Sequence, residues 1–431
     1  MPSGSQPPDD QPPNGHRPPG LSPLVPGRGS RPSYSLAALR ERLEQQFHAE
    51  TADRADILIE LDTEEKRRAM LREVMDYILG IEAITLSPQD RRALLDSTYR
   101  SLFTFGPLDD YLADETITEI SVNGPHSIHV RRGLGKLEPV PAAFDDRQQL
   151  AALLTRVLAG AGIVLDERAP FVETGLMLAG RPARLALIAP PASPDYSLEI
   201  RLHPRQPLTL DALPPQAAAV LRAIVTAGHG LLIVGDAGTG KTTLAAALAA
   251  ALPTASIVAV ERTAEMHLPP HITRRAPTAP TPGDPGQDFA GALKAALDSR
   301  PGWLIVDEIR GDESAAVWDA LTREAPSAYL WVFRGDIQPD RLRSALSMVI
   351  RRQQPAVEQA AIHRALARHL PFVAALTVSA ETPRLHAISE WVLDDSTGDL
   401  ALRPILTGHD DRFALVNRPT RPLDLPGDLP D

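Results

Sequence analysis

One stretch of the chain combines residue types and spacing that are typical of phosphate binding: LLIVGDAGTGKTT at residues 231–243. Gly235, Gly240, Lys241 and Thr242 follow the P-loop spacing, in which backbone N–H groups and a helix N-terminus bind phosphate oxygens. The lysine contacts the β- and γ-phosphates, and the threonine hydroxyl is a Mg²⁺ ligand. The sequence therefore predicts binding of ATP and Mg²⁺, with Lys241 also counted among the catalytic residues. The predicted nucleotide-binding residues of the loop are Gly235, Asp236, Ala237, Gly238, Thr239, Gly240, Lys241, Thr242 and Thr243.

A second group with catalytic chemistry lies downstream, in WLIVDE at residues 303–308. Apolar residues precede Asp307 and Glu308, so both carboxylates should lie at the C-terminal end of a buried strand, where ligands bind in a parallel sheet. Asp307 is predicted to hold Mg²⁺ through water, and Glu308 to polarise the attacking water. An acidic turn after a strand is common, so this assignment depends on the P-loop upstream.

The segments around these residues alternate between strand and helix patterns. Residues 231–235 predict a buried strand, and LAAALAAAL after the loop predicts a helix. Another buried strand is predicted at 256–260, and helices are predicted at 288–298 and 338–352. This alternation predicts the α/β class, with a RecA-like, mostly parallel sheet.

The rest of the chain divides by composition and periodicity. The first residues are rich in proline, glycine and serine and are expected to be disordered. Apolar residues at helical spacing follow, and they fit either a partner-docking surface or a subdomain that packs on its own chain. The predicted divisions are a disordered tail at 1–33, a helical region at 34–105, a small α/β domain at 106–202, a linker at 203–213, the RecA-like P-loop domain at 214–411 and a C-terminal tail at 412–431.

Composition excludes several classes of protein. The formal net charge of −11 argues against nucleic acid as the main partner, and the absence of cysteine excludes disulfides and thiolate chemistry. Lysine is rare beside arginine, and Lys241 is one of the few lysines. The sequence shows neither a signal-peptide pattern nor an apolar run of about 18 residues. A cytoplasmic location, or a peripheral one at a membrane, is therefore expected.

Beyond the P-loop, an ordered set of short motifs resembles the type II/type IV secretion ATPases, most of all the tight-adherence pilus branch (TadA/CpaF-like). The similarity runs over about residues 100–395. It is carried by FGPLDDYLAD at 105–114, TEISVNGP at 118–125, LDERAP at 165–170, LTLDAL at 208–213, IVAVE at 257–261, RP at 300–301, VDEIRG at 306–311 and RLHAISE at 384–390.

The resemblance implies a homo-hexameric ring in which a PAS-like N-terminal domain is hinged to the RecA-like domain. ATP hydrolysis would then drive pilus assembly or secretion through inner-membrane platform proteins, at the cytoplasmic face of the membrane. Neither nucleic acid nor a small-molecule substrate other than ATP is implied. By position, Glu261 matches the family's acidic-box carboxylate that polarises water, and Glu308 its Walker B glutamate. Arg184 and Arg201 match N-terminal-domain arginines that reach the phosphates, and for each of them a surface salt bridge is the alternative.

Several residues depart from the family pattern. The family's histidine box follows the Walker B strand and senses the γ-phosphate, but Phe333 stands here in place of the histidine. An earlier Gly-His pair of the family aligns with Glu324-Ala325, which has no histidine. The family's acidic box reads Glu-Asp, whereas here Arg262 follows Glu261. Asp307 replaces a small residue of many members and gives a more standard Walker B motif.

These departures leave two functions open. The chain is either an active hexameric ATPase or a nucleotide-binding paralogue with little turnover, structural or regulatory in a ring. Arg334 or Arg310 could supply the polar group that the histidine box lacks. A DNA or RNA motor is disfavoured by the acidic balance and by the match of the N-terminal domain.

Overall fold

The computed structural model describes residues 35–51, 61, 63–253, 256–278, 286–323, 328–379, 382–409 and 412–425. The disordered tail predicted at 1–33 and the Glu324-Ala325 pair lie outside these ranges. The chain divides after Thr104 into two compact units, Met1–Thr104 and Phe105–Asp431.

The described part of the first unit is helical. Thr63 and Ser87 begin the second and third helices by accepting hydrogen bonds from the backbone N–H groups of Lys66 and Asp90. Buried leucines and other apolar residues form one core within the unit, so the helical pattern predicted from the sequence is confirmed and its apolar stripe packs on its own chain. The helices are α1 (Leu36–Thr51), α2 (Glu64–Ile81) and α3 (Pro88–Phe103).

The second unit begins with an antiparallel sheet whose strand order is β3-β2-β1-β6-β5-β4. Alternate side chains of its strands, such as Ile120 and Val122, pack with the leucines of helix α5, which is N-capped by Asp146. Leu112 of the short helix α4 lies in the same core, so the sheet and its two helices form a small α/β domain. The elements are α4 (Asp109–Ala113), β1 (Ile117–Asn123), β2 (Ile128–Arg132), β3 (Leu137–Pro139), α5 (Arg147–Gly160), β4 (Phe171–Leu178), β5 (Arg181–Ile188) and β6 (Ser197–Leu202).

The described residues after 214 build a larger sheet with the order β15-β14-β13-β12-β7-β11-β10-β8-β9. Its strands from β12 to β9 pair in parallel, and the three from β13 to β15 are antiparallel. The strands are β7 (Leu231–Gly235), β8 (Ile257–Val260), β9 (Thr273–Arg275), β10 (Trp303–Ile309), β11 (Ala328–Arg334), β12 (Phe372–Ser379), β13 (Thr382–Leu393), β14 (Leu400–His409) and β15 (Arg412–Leu415).

Helices cover both faces of this sheet, which explains its almost continuous apolar strands. Leu231 and Ile233 of β7 lie in the core with α6 and α7, while Leu232 and Val234 lie in the core with α8 to α11. The predicted α/β, RecA-like architecture is therefore confirmed. Nowhere in the described ranges is a helix both long enough and apolar enough to cross a bilayer. The helices are α6 (Pro215–Thr226), α7 (Lys241–Ala249), α8 (Phe289–Asp298), α9 (Ser314–Thr322), α10 (Pro339–Arg351) and α11 (Gln359–His369).

The segment that the sequence sets apart as a C-terminal tail joins this domain. Strand β15 extends the sheet, and Leu423 and Leu425 pack against the core on the α6/α7 face. Glu390 is fully buried and binds the segment: it accepts hydrogen bonds from the backbone N–H groups of Thr420 and Arg421, from the Thr420 hydroxyl and from the Arg421 guanidinium. The sheet therefore continues beyond the predicted domain boundary, through β15.

This carboxylate gives a stability prediction. Replacing Glu390 by alanine should lower the free energy of unfolding by about 2–4 kcal/mol, because Thr420 and Arg421 lose their shared acceptor. Burial works to raise the pKa of Glu390, but the hydrogen bonds from Thr420 and Arg421 and the charge of Arg421 outweigh it, and the net shift is downward from 4.5. The stabilisation should therefore be present above the ordinary pKa and be lost as the pH falls through the lower folded-state pKa.

Denaturant unfolding at several pH values checks this expectation. The difference between the wild type and Glu390→Ala should shrink on acidification, and Glu138→Ala, which alters an exposed side chain on β3, should leave the midpoint unchanged. Equal midpoints for the wild type and Glu390→Ala near neutral pH would contradict it.

Candidate functional site

The P-loop connects β7 to α7 and adopts the backbone that phosphate binding requires. Gly238 and Gly240 have φ angles of 76° and 84°, in the left-handed region that favours glycine. Lys241 is only 8% exposed, and its ammonium donates to the carbonyl of Asp236 at 2.6 Å. Burial lowers the pKa of Lys241, against the charge of Glu308. A buried ammonium held by a carbonyl oxygen in a glycine loop fits an anionic ligand.

The two predicted metal ligands lie side by side. The Thr242 hydroxyl donates to the Oδ1 atom of Asp307 at 3.4 Å, although the two residues are far apart in the chain. Burial raises the pKa of Asp307 to about 8, and the charges of Glu265, Glu261 and Glu308 act in the same direction. A divalent cation at these oxygens would offset the repulsion, so the pair fits Mg²⁺.

Glu308 has a strained backbone and a charged environment. Its φ is 45°, a left-handed value that costs a non-glycine residue about 1 kcal/mol. Its Oε2 atom accepts a hydrogen bond from Arg310 at 2.8 Å and lies 3.9 Å from the Nη1 atom of Arg184. Burial works to raise the pKa of Glu308, but the Arg310 hydrogen bond and the nearby cations outweigh it, and the net shift is downward. Glu308 is therefore an ionised carboxylate beside the loop.

Glu261, the other predicted catalytic carboxylate, differs from Glu308 in its burial and in its hydrogen-bond partners. It is fully buried at the end of β8, and Arg274 on β9 binds both of its oxygens at 2.8 and 3.0 Å. The backbone N–H of Met266 donates to its Oε1 atom at 2.8 Å. Burial raises its pKa, against the charge of Arg274. These contacts use much of its acceptor capacity, so Glu308 is better placed to orient a water molecule.

The structure separates the two predicted arginines. Arg184 on β5 binds Glu173 of the neighbouring strand and approaches Glu308. Arg201 faces Arg184 in the β5–β6 register, but its side chain is 51% exposed and pairs with Glu199 at 2.7 Å. The observed contacts of Arg201 match the surface salt bridge, and those of Arg184 bring it to the candidate site.

The strand that would carry the histidine box lies directly beside the P-loop. Strand β11 pairs in parallel with β7, with Arg334 opposite Gly235. Phe333 is 4% exposed and belongs to the apolar core, so this position offers no polar group. The Nε atom of Arg334 lies 3.4 Å from Oδ1 of Asp236, which places an exposed guanidinium at the loop.

Two contacts of the small α/β domain with this site were not predicted. A Cβ atom on Gly175 of β4 would lie 2.7 Å from the backbone nitrogen of Ala264, and a Cβ atom on Gly238 would lie 3.1 Å from Leu134. The first could have been inferred from a glycine that interrupts a strand, which often marks close backbone approach. No pattern in the sequence marks Leu134.

The close approach at Gly175 gives a second stability prediction. Gly175→Ala should lower the free energy of unfolding by about 1–3 kcal/mol, because the new methyl group meets backbone atoms of Ala264 that must shift. Gly160 has nothing within 4 Å of the corresponding position, so Gly160→Ala is the matched control. Denaturant melts of both variants measure the effect, and equal midpoints would show that the contact is absent in solution.

Comparisons with known proteins place similar sequences over about half of this chain. The family described as Type II/IV secretion system protein matches residues 104–322, just over half of the 431 residues. A putative conjugal transfer protein of Mycobacterium tuberculosis is 33% identical over 234 residues, which cover 50% of this chain and 65% of that protein. The match thus spans slightly less than two thirds of the mycobacterial relative.

Two further proteins show similarity over a comparable part of the chain. The type IV secretion system protein PtlH of Bordetella pertussis is 28% identical over 262 residues, covering 52% of this chain and 73% of PtlH. The crystal structure of the VirB11 ATPase from the Brucella suis type IV secretion system matches with 20% identity and a TM-score of 0.34, covering 66% of this chain and 95% of VirB11. On the extent of the family match, the chain belongs to the type II/IV secretion system protein family.

Proposed function

We propose that this chain is an ATP-hydrolysing motor subunit of a type II/IV secretion system. The observation that carries the proposal is the 3.4 Å approach of the Thr242 hydroxyl to the buried Asp307, with the ionised Glu308 next in sequence. This arrangement combines a phosphate loop, a cation site and a water-orienting carboxylate at the carboxyl ends of neighbouring parallel strands.

Each residue would contribute one part of phosphoryl transfer to water. The loop N–H groups and Lys241 hold the β- and γ-phosphates, and Thr242 and Asp307 would hold Mg²⁺. Bound Mg²⁺ supplies charge neutralisation on the phosphate oxygens. Glu308 orients the attacking water and takes up its proton, and Arg184 balances negative charge at the transferred phosphate.

Steady-state ATPase activity of the wild type beside Lys241→Ala tests the proposal. The wild type should hydrolyse ATP, and turnover should fall by at least about 10²-fold in the variant, since the lysine is the buried cation of the loop. Nucleotide binding followed in parallel separates loss of affinity from loss of chemistry. Equal turnover in both proteins would overturn the assignment of the site.

The finer assignment rests on the motif set of residues 105–390. We propose the tight-adherence pilus branch, a homo-hexameric ring, and a cytoplasmic location against inner-membrane platform proteins, with neither nucleic acid nor another small molecule as substrate. Heterologous contacts between copies that close a ring would suit such a motor. Native mass measurement with a non-hydrolysable ATP analogue should give the mass of a hexamer, and a monomer at micromolar concentration would count against the ring.

A second candidate is a nucleotide-binding subunit with little turnover. Its specific support is Phe333, which places an apolar side chain where the family resemblance implies a sensing histidine. Tight ATP binding, with turnover no higher than that of Lys241→Ala, would favour this candidate. Turnover that depends on Lys241 would favour the motor and show that the site works without the histidine.

A further inference from the structure

Arg262 lies behind the candidate site and joins three segments of the chain. Its Nε atom donates to the backbone carbonyl of Glu308 at 3.0 Å, and its two Nη atoms bind the carboxylate of Asp312 at 3.0 and 2.6 Å. Nη2 also donates to Glu313 at 2.7 Å, and the guanidinium lies 4.2 Å from the ring centroid of Phe289. The side chain is only 12% exposed. The guanidinium of Arg262 is thus held by hydrogen bonds along its edges and by the Phe289 ring on one face.

The contact with Glu308 falls where the strand is irregular. The β10–β11 register shifts between Val306 and Ile309, and Glu308 inside this interruption has a φ of 45°. Interruptions of this kind re-aim side chains and occur next to active sites. Such a backbone persists only when surrounding contacts hold it. Arg262 makes one of those contacts, directly to the carbonyl of the strained residue.

The turn that follows is held by the same arginine. Glu313 is fully buried and accepts hydrogen bonds from the backbone N–H groups of Arg310 and Gly311. The hydrogen bond from Arg262 holds the pKa of the Asp312 carboxyl well below its usual range. Arg262 therefore balances two carboxylates that organise the turn, and Arg310 at the start of that turn binds the Glu308 side chain.

We infer that Arg262 is a positioning residue, which holds the backbone of Glu308 so that its carboxylate faces the P-loop. It touches neither nucleotide-binding residues nor the carboxylate of Glu308 in its described contacts, so it acts through the strand and the turn. The inference rests on the proposed hydrolysis for its kinetic consequence, and it explains why arginine is useful at this position of the acidic box.

Kinetics of the full chain with Mg-ATP test the consequence. Arg262→Ala should lower kcat by about 10–100-fold with KM and the affinity for a fluorescent ADP analogue within about twofold, because Glu308 loses its orientation and the P-loop is untouched. Arg262→Lys should recover part of kcat, since it keeps the charge but not the fork of donors. Arg323→Ala is the matched control, because Arg323 also binds two carboxylates, those of Asp298 and Asp319, in another part of the domain.

Two outcomes of these kinetics would overturn the inference. The first is a kcat of Arg262→Ala within about twofold of the Arg323→Ala value. The second is a parallel loss of kcat, nucleotide affinity and thermal midpoint, which would indicate a general structural role. If the wild type itself shows no turnover above Lys241→Ala, the proposed hydrolysis fails. The inference about Arg262 is then tested by thermal midpoints of variants at Arg262 and Glu308.

A stability cycle tests the backbone contact without any turnover. Glycine adopts a φ of 45° freely and alanine does not, while both remove the Glu308 carboxylate. If Arg262 holds this backbone, its loss lets an alanine at 308 relax and recover the strain, so Arg262→Ala should lower the thermal midpoint less in the Glu308→Ala background than in the Glu308→Gly background. Equal shifts in the two backgrounds would show that Arg262 does not support the strained residue.

Discussion

Replacing Glu308 by glutamine is expected to lower kcat for ATP hydrolysis by about 10²–10³-fold, with little change in nucleotide affinity. Glutamine keeps the size and the hydrogen-bonding carbonyl of the side chain but cannot take up a proton. The pKa of Glu308 lies below its ordinary value because Arg310 and other nearby cations outweigh burial, so the wild-type residue is ionised near neutral pH. Single-turnover rates and equilibrium binding of a fluorescent ADP analogue measure the two quantities separately.

Glu261→Gln is the matched control for this variant. Glu261 has both oxygens bound, by Arg274 and by the backbone of Met266, and it is fully buried. Its substitution should mainly lower the free energy of unfolding, by about 1–3 kcal/mol, because a buried charge-assisted pair is weakened. If Glu261→Gln abolishes turnover and Glu308→Gln does not, the catalytic carboxylate is the acidic-box residue, as the family resemblance implies.

The strand and helix order of the P-loop domain could be predicted from the sequence because its signals are local. Four apolar residues before a glycine loop, and an alanine-rich run after it, predict β7 and α7 without any tertiary information. The placement of Asp307 beside Thr242 also followed, because the carboxyl ends of parallel strands lie along one edge of the sheet.

The electrostatic partners could not be predicted in the same way. Arg274 neutralises Glu261 from a short strand whose pairing with β8 depends on the whole sheet. The left-handed φ of Glu308 arises from a register shift that no residue type marks. Such features depend on which segments meet in three dimensions, and a single sequence holds no record of those contacts.

The C-terminal segment shows that packing between distant parts of the chain could not be predicted from local composition. Residues such as Leu423 and Leu425 stand among prolines and aspartates, a composition that favours a tail. They are partly buried against the α6/α7 face, and Glu390 on β13 accepts hydrogen bonds from Thr420 and Arg421, which precede them in the chain. Local composition marks a tail but does not decide whether it is ordered, because the hydrogen bonds that hold the segment come from a distant part of the chain.

The largest remaining effect is expected at Arg184. Arg184→Ala should lower kcat by about 10²–10³-fold, because its guanidinium is the group of the small α/β domain that approaches Glu308, at 3.9 Å. Lysine at this position keeps the charge but loses the planar fork of donors. The kcat of Arg184→Lys should therefore lie between those of the wild type and Arg184→Ala. Kinetics with Mg-ATP, together with thermal midpoints, separate a catalytic defect from a folding defect.

Arg201→Ala is the internal control, since Arg201 lies opposite Arg184 in the same sheet and pairs with the exposed Glu199. Its kcat should stay within about threefold of the wild type, because an exposed ion pair contributes little. Comparable losses for the two variants would mean that Arg201 also reaches the phosphates, although in this structure it pairs with Glu199. The pair of variants thus decides whether the arginine contribution comes from the arrangement seen here or from one in which the two domains, or two copies, move against each other.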